Sequence, residues 1–142
     1  MVTRTATARY EGFGKDGKGA VSTQSGVLNE PRYGFGTRFE DEPGTNPEEL
    51  IAAAHASCFT MALSFALAKA GHSDGTLETK AAVQLDKDGD GFKVSRSALT
   101  LTGSVPGIGA DEFARLAAEA KANCPISKLL NAEITLEHTL AG

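Results

Sequence analysis

Two cysteines, Cys58 and Cys124, hold the strongest nucleophiles in this 142-residue chain. A thiol reacts as its thiolate, so the question is what could ionise either one. Cys58 lies in the run TNPEELIAAAHASCFTMALSFAL beside His55, and Arg38 stands a short way upstream. A cation at the sulfur would lower its pKa and make it a working nucleophile. Cys124 directly precedes Pro125 at what reads as a helix start, where backbone N–H groups also favour a thiolate. Free cysteines are equally at home as inert buried hydrophobes, and Cys124 could be no more than a tolerated helix cap. Spacing alone leaves redox chemistry and simple packing both open.

Three other patterns fall short of the chemistry they suggest. The glycines Gly12, Gly14 and Gly17 match a dinucleotide-binding GxGxxG, but a strand-like run, AVSTQSGV, follows where a helix should open. A hairpin turn accounts for them better. Asp86, Asp88, Asp90 and Gly91 match the first half of a calcium loop, yet Ser97 stands where the bidentate glutamate belongs. His55 and Cys58 could begin a metal site, but His72, His138 and Cys124 offer no ligand-like spacing to complete it. We therefore read His55 as a hydrogen-bonded neighbour on a buried helix.

The elements that must position these residues follow from patterning. One α+β domain spanning residues 1–142 is expected, since the chain is too short for two cores. With 14 Lys and Arg against 18 Asp and Glu, the net charge of −4 supplies no basic footprint for nucleic acid. The first residues, MVTRTATARYEG, show no signal-like apolar core, so a cytoplasmic location is expected, where thiols stay reduced. Residues 50–68 carry no formal charge, but the stretch is alanine-rich, holds several hydroxyls and lacks interfacial aromatics. A buried helix explains it better than a membrane span.

Strands are expected at 3–10, 20–28 and 33–39, the last placing Arg38 opposite Tyr33, Phe35, Thr37 and Phe39. A long helix should start at Thr45 or Asn46, with Pro47 in its first turn, and stop near Ala70 before Gly71. Strands at 77–85 and 92–102, helices from Asp111 and Pro125, and a strand at 133–140 complete the expected order.

The runs TNPEELIAAAHASCFTMALSFAL, NCPISKLL, GVLNEPRYGFGTRFE and AEITLEHTL together closely resemble the OsmC branch of the OsmC/Ohr family, over essentially the whole chain. The resemblance implies an intertwined homodimer with long central helices wrapped by antiparallel sheet. It implies a thiol-dependent peroxidase for organic hydroperoxides, and less readily for hydrogen peroxide, with active sites at the subunit interface. By motif position, Cys58 resembles the peroxidatic cysteine, Cys124 the resolving one and Glu48 the catalytic glutamate. The Ohr branch carries its arginine in the N-terminal glycine-rich turn, where this chain has Lys15; the OsmC branch instead points to Arg38.

Such a scheme needs no cofactor and no metal. The thiolate attacks one peroxide oxygen, a guanidinium steadies the developing charge, and a carboxylate orients the guanidinium. The sulfenic acid then condenses with the second thiol, and a dithiol reductant, of lipoyl type by the resemblance, restores the pair. Glu48 and Cys58 lie ten residues apart, about 15 Å along one straight helix. Either the helix breaks between them or one site draws them from different subunits, and the second is preferred. Phe39, Phe59 and Met61 are expected to line an apolar pocket. The competing expectation is a dimeric stress-related protein that binds a small ligand in an apolar cleft, with structural cysteines and no catalysis.

Overall fold

Asparagine at a helix entrance and glycine at its exit set the bounds of the longest element. In the computed structural model, which describes residues 1–141, α2 runs over Pro47–Lys69. Asn46 is its N-cap: Oδ1 accepts the Glu49 N–H at 2.8 Å, while the Thr45 hydroxyl donates to the Glu49 carboxylate at 2.9 Å. At the other end Gly71 takes φ 96°, and the His72 and Gly71 N–H groups bond back to the Leu67 and Ala68 carbonyls. That is the paired closure that a left-handed glycine permits.

The chain divides into two compact units, Met1–Leu50 and Ile51 onward. In the first, β1 (Ala6–Glu11), β2 (Lys18–Thr23) and β3 (Asn29–Tyr33) form an antiparallel meander. The glycine-rich segment is the β1–β2 connection, with a 3-10 turn at Gly14–Asp16 and positive φ at Gly12 and Gly14. The strand expected at 33–39 is corrected. Strand β3 ends at Tyr33, and residues 35–39 form the short helix α1 (Phe35–Phe39). Thr37 decides this locally, because its hydroxyl accepts the Gly34 N–H at 2.8 Å while the Arg38 N–H bonds the Gly34 carbonyl. The turn also brings the Phe35 and Phe39 rings, four residues apart, to 5.1 Å.

In the second unit, β4 (Thr76–Asp88) and β5 (Gly91–Ser104) make a long hairpin through Gly89 and Asp90, which is where the calcium-like acidic residues fall. Helices α3 (Ala110–Asn123) and α4 (Pro125–Leu129) then carry the chain to β6 (Glu133–Leu140), which pairs parallel with β5. This sheet is therefore mixed rather than wholly antiparallel, because a crossover of two helices returns the chain in the same direction.

The core of this unit assembles from three regular stripes. Helix α2 buries His55, Phe59, Leu63 and Leu67, a strict four-residue spacing. Strand β5 turns Ser97, Leu99, Leu101 and Gly103 inward, and α3 contributes Phe113, Leu116, Ala117 and Ala120. Gly103 is required at its position, since a Cβ there would lie 2.6 Å from the Phe113 ring. Phe59, expected in a pocket, is fully buried in this core.

Asn46 ties two elements together, because its Nδ2 also donates to the Thr37 carbonyl of α1 at 3.0 Å. Asn46→Ala should cost about 1–2 kcal/mol in urea unfolding, the size of a lost N-cap. Asn46→Ser, which keeps a capping oxygen, should recover part of that loss.

Candidate functional site

Two clusters of reactive groups form, one in each unit. In the first, Arg38 stands in the last turn of α1 and Glu48 in the first turn of α2. The guanidinium donates twice to the carboxylate, Nε to Oε1 at 2.9 Å and Nη2 to Oε2 at 2.8 Å. This fork fixes the plane as well as the place of the guanidinium, which a lysine ammonium cannot match. The bond from Glu48 is the main cause that raises the Arg38 pKa above its ordinary value, so the group is a permanent cation. The Glu48 side chain is only 13% exposed against 35% for Arg38, so water competes little for the carboxylate.

Arg38 faces a cavity of about 360 Å³, lined also by Tyr10, Lys15, Tyr33, Phe35 and Phe39. The cavity is walled by aromatic rings and carries two cations. Lys15 sits 4.9 Å over the Phe35 ring and Arg38 5.6 Å over the Phe39 ring. Both candidate cations thus border one cavity, and Arg38 is the one clamped by Glu48. Phe39 lines it as expected; Met61 is 60% exposed on α2.

The second cluster holds the thiols. Cys58 is half-buried and Cys124 fully buried, and the two hydrogen-bond each other. Cys124 is the residue before α4, and its backbone geometry leaves no regular side-chain cap. Burial opposes its ionisation, but the Cys58 thiol, the Ser127 and Ile126 backbone N–H groups and the Ser127 hydroxyl outweigh burial and lower its pKa. Burial first, and then the bond with Cys124, raise the pKa of Cys58. The two thiols therefore titrate as an interacting pair.

His55, three residues before Cys58 on α2, is fully buried. Its Nδ1 is 2.6 Å from the Ser97 hydroxyl on β5, and its Nε2 is 2.8 Å from the Ser127 hydroxyl on α4. Both ring nitrogens are occupied by serines, the hydrogen-bonded arrangement read for His55 from the sequence. The serines themselves were not legible there. They stand 42 and 72 residues from His55, and no local pattern links them.

The sequence matches the family described as OsmC-like protein over residues 39–139. It is 52% identical to "Peroxiredoxin OsmC" of Escherichia coli K12, over 98% of this chain and 97% of that protein. It is 34% identical to "Organic hydroperoxide resistance protein OhrA" of Bacillus subtilis 168, over 94% of each chain. Among solved structures, OhrB of Bacillus subtilis superposes with a TM-score of 0.69 at 28% identity, covering 99% of this chain and 98% of that one.

Burial lowers the His55 pKa, so the folded chain binds this proton less readily than the unfolded chain, whose imidazole titrates near ~6.5. Stability should therefore fall as pH drops below that value. In His55→Gln, which cannot titrate there, the fall in melting temperature between about pH 7.5 and pH 5.5 should be smaller. Equal falls in both proteins would contradict a buried neutral imidazole. The mixed sheet, the capped long helix and the agreement over almost the full length place this chain in the OsmC-like protein family.

Proposed function

We propose that this chain is a cysteine-based peroxidase that reduces organic hydroperoxides, with Cys58 as the attacking thiol and Cys124 as the resolving one. The observation that carries the reading is the hydrogen-bonded thiol pair, half-buried Cys58 against fully buried Cys124. A ligand-binding protein with inert cysteines has no need of such a pair, and the names of the relatives point to the same activity.

The Cys58 thiolate attacks one peroxide oxygen and the O–O bond breaks. The alkoxide leaves as an alcohol after taking a proton, and the sulfur is oxidised to a sulfenic acid. The Cys124 thiolate then attacks that sulfur and expels hydroxide, which closes the disulfide and stops further oxidation. One alcohol and one water are the products, and two thiols have supplied two electrons. A dithiol of lipoyl type, acting by exchange in the reducing cytoplasm, regenerates the pair.

Arg38, oriented by Glu48, is the cation for the thiolate and for the charge developing on the peroxide. Helix α2 is unbroken from Pro47 to Lys69, so the rise of ~1.5 Å per residue separates Glu48 from Cys58 by about 15 Å along its axis. A homodimer answers this, with the Arg38–Glu48 clamp of one subunit serving the thiols of the other. A partner is also needed by α2 itself, because Met61 and Phe65 stand 60% and 70% exposed on the side opposite the buried stripe. The aromatic cavity beside Arg38 suits an organic rather than a purely aqueous peroxide.

Treating the reduced protein with one equivalent of cumene hydroperoxide and reading its intact mass without reductant tests the thiol chemistry. Loss of two hydrogens is expected, and neither Cys58→Ser nor Cys124→Ser should show it. An unchanged mass with both thiols free would move the reading to a ligand-binding dimer. Mixing Cys58→Ser with Glu48→Ala protein under subunit exchange tests the shared site. Heterodimers should regain one working site, and no recovery would place clamp and thiols in one subunit.

A further inference from the structure

The buried polar chain Ser97–His55–Ser127 ends against Cys124, and the peroxidase scheme makes no use of it. Its direction can be worked out from donors and acceptors. Burial lowers the His55 pKa, so the ring is neutral, with one nitrogen donating and the other accepting. A serine hydroxyl has a single hydrogen. If Ser127 spends that hydrogen on His55, it has none for the sulfur. If instead His55 Nε2–H donates to Ser127 across the 2.8 Å contact, the Ser127 hydrogen is free to point at Cys124. Nδ1 is then the acceptor, and Ser97 must donate to it across 2.6 Å. Only this assignment satisfies both short contacts and also leaves the Ser127 hydroxyl hydrogen free for the sulfur.

The elements make the arrangement stiff. Ser97 is fixed by the β4–β5 register opposite Val83, His55 by the buried stripe of α2, and Ser127 by the first turn of α4. All three side chains are buried, which leaves little room for a competing water. The groups that set the ionisation of Cys124 are burial, the Cys58 thiol from α2, and the Ser127 and Ile126 groups of α4. None of these is a charged side chain, and the Ser127 hydroxyl is the one whose direction a neighbouring side chain sets.

We propose that His55 is a positioning residue for the resolving step: its Nε2–H holds the Ser127 hydroxyl turned toward the Cys124 sulfur, with Ser97 fixing the tautomer. His55 touches neither peroxide nor sulfur and acts through Ser127. The proposal rests on Cys124 being the resolving thiol for its functional meaning, but not for its test.

The test uses Cys58→Ser protein, in which Cys124 is the remaining thiol, and follows thiolate absorbance at 240 nm against pH. The Cys58→Ser/Cys124→Ser protein supplies the tyrosine background. Adding Ser127→Ala should raise the Cys124 midpoint by about one pH unit, the scale of a hydrogen bond to a charged group. His55→Asn places its amide near the former Nδ1 and loses Ser127, so it should raise the midpoint similarly. His55→Gln can place an N–H near the former Nε2 and should restore it. The His55→Asn/Ser127→Ala pair should shift no further than Ser127→Ala alone. A His55 with only a packing role would lower the melting temperature of these variants and leave the midpoint where it was, and that result overturns the proposal. Should the His55 variants fail to fold, Ser97→Ala decides, since an unmoved midpoint there is equally fatal.

With Cys58 present, His55→Asn should slow disulfide closure about threefold at neutral pH, because a higher pKa leaves less thiolate but a stronger nucleophile. Protein that titrates as expected but ignores hydroperoxide would sink the proposed function and leave the positioning role standing. Protein that reduces hydroperoxide with a midpoint insensitive to His55 would do the reverse.

Discussion

Two thiols placed side by side in a low-dielectric interior resist ionisation, and the hydrogen bond between them is the contact on which this structure turns. Burial raises the cost of a thiolate at either sulfur, so the charge must be held by dipoles rather than by water. The second unit supplies them at Cys124, through the α4 N–H groups and the Ser127 hydroxyl. It supplies much less to Cys58, whose pKa its surroundings push up.

The Arg38–Glu48 fork holds its cation with geometry as well as charge. Two parallel N–H···O bonds of 2.9 and 2.8 Å use one edge of the guanidinium and leave other donors to face the aromatic cavity. Lys15 borders the same cavity on the face of Phe35, where it adds positive potential without a fixed plane. The chain therefore combines a clamped cation with a flexible one. Of the two candidates weighed from the sequence, Lys15 and Arg38, it is Arg38 that a carboxylate clamps.

How far the sequence disclosed this arrangement depended on the range of the interactions involved. Helix α2 was legible at both ends because Asn46, Pro47 and Gly71 act on their own neighbours. The helical turn around Arg38 was not, because Tyr33, Phe35, Thr37 and Phe39 alternate as a strand would. Phe35 and Phe39 are equally an i, i+4 pair, and over five residues the two periods cannot be told apart. Thr37 bonding Gly34 breaks the tie, and it does so with one hydrogen-bond pair that composition does not announce. Cys58, Cys124 and His55 stood out as residue types, yet the serines that give His55 its setting arrive from β5 and α4. Tertiary packing alone brings them there.

Helix period then explains why one thiol is half-buried while the other is enclosed. The buried stripe of α2 runs through residues 55, 59, 63 and 67, each four apart, and Cys58 is one step off it. A rotation of about 100° per residue carries Cys58 to the edge of the stripe, where it is half-buried. Cys124, reached from the α3–α4 junction, comes up beneath that edge and is fully enclosed. His55 sits on the stripe itself, three residues before Cys58, so it faces the same enclosed side as Cys124. Moving the cysteine by one position along α2 would put it either fully in the core or fully in the open. In the first place no hydroperoxide would reach it, and in the second Cys124 could not.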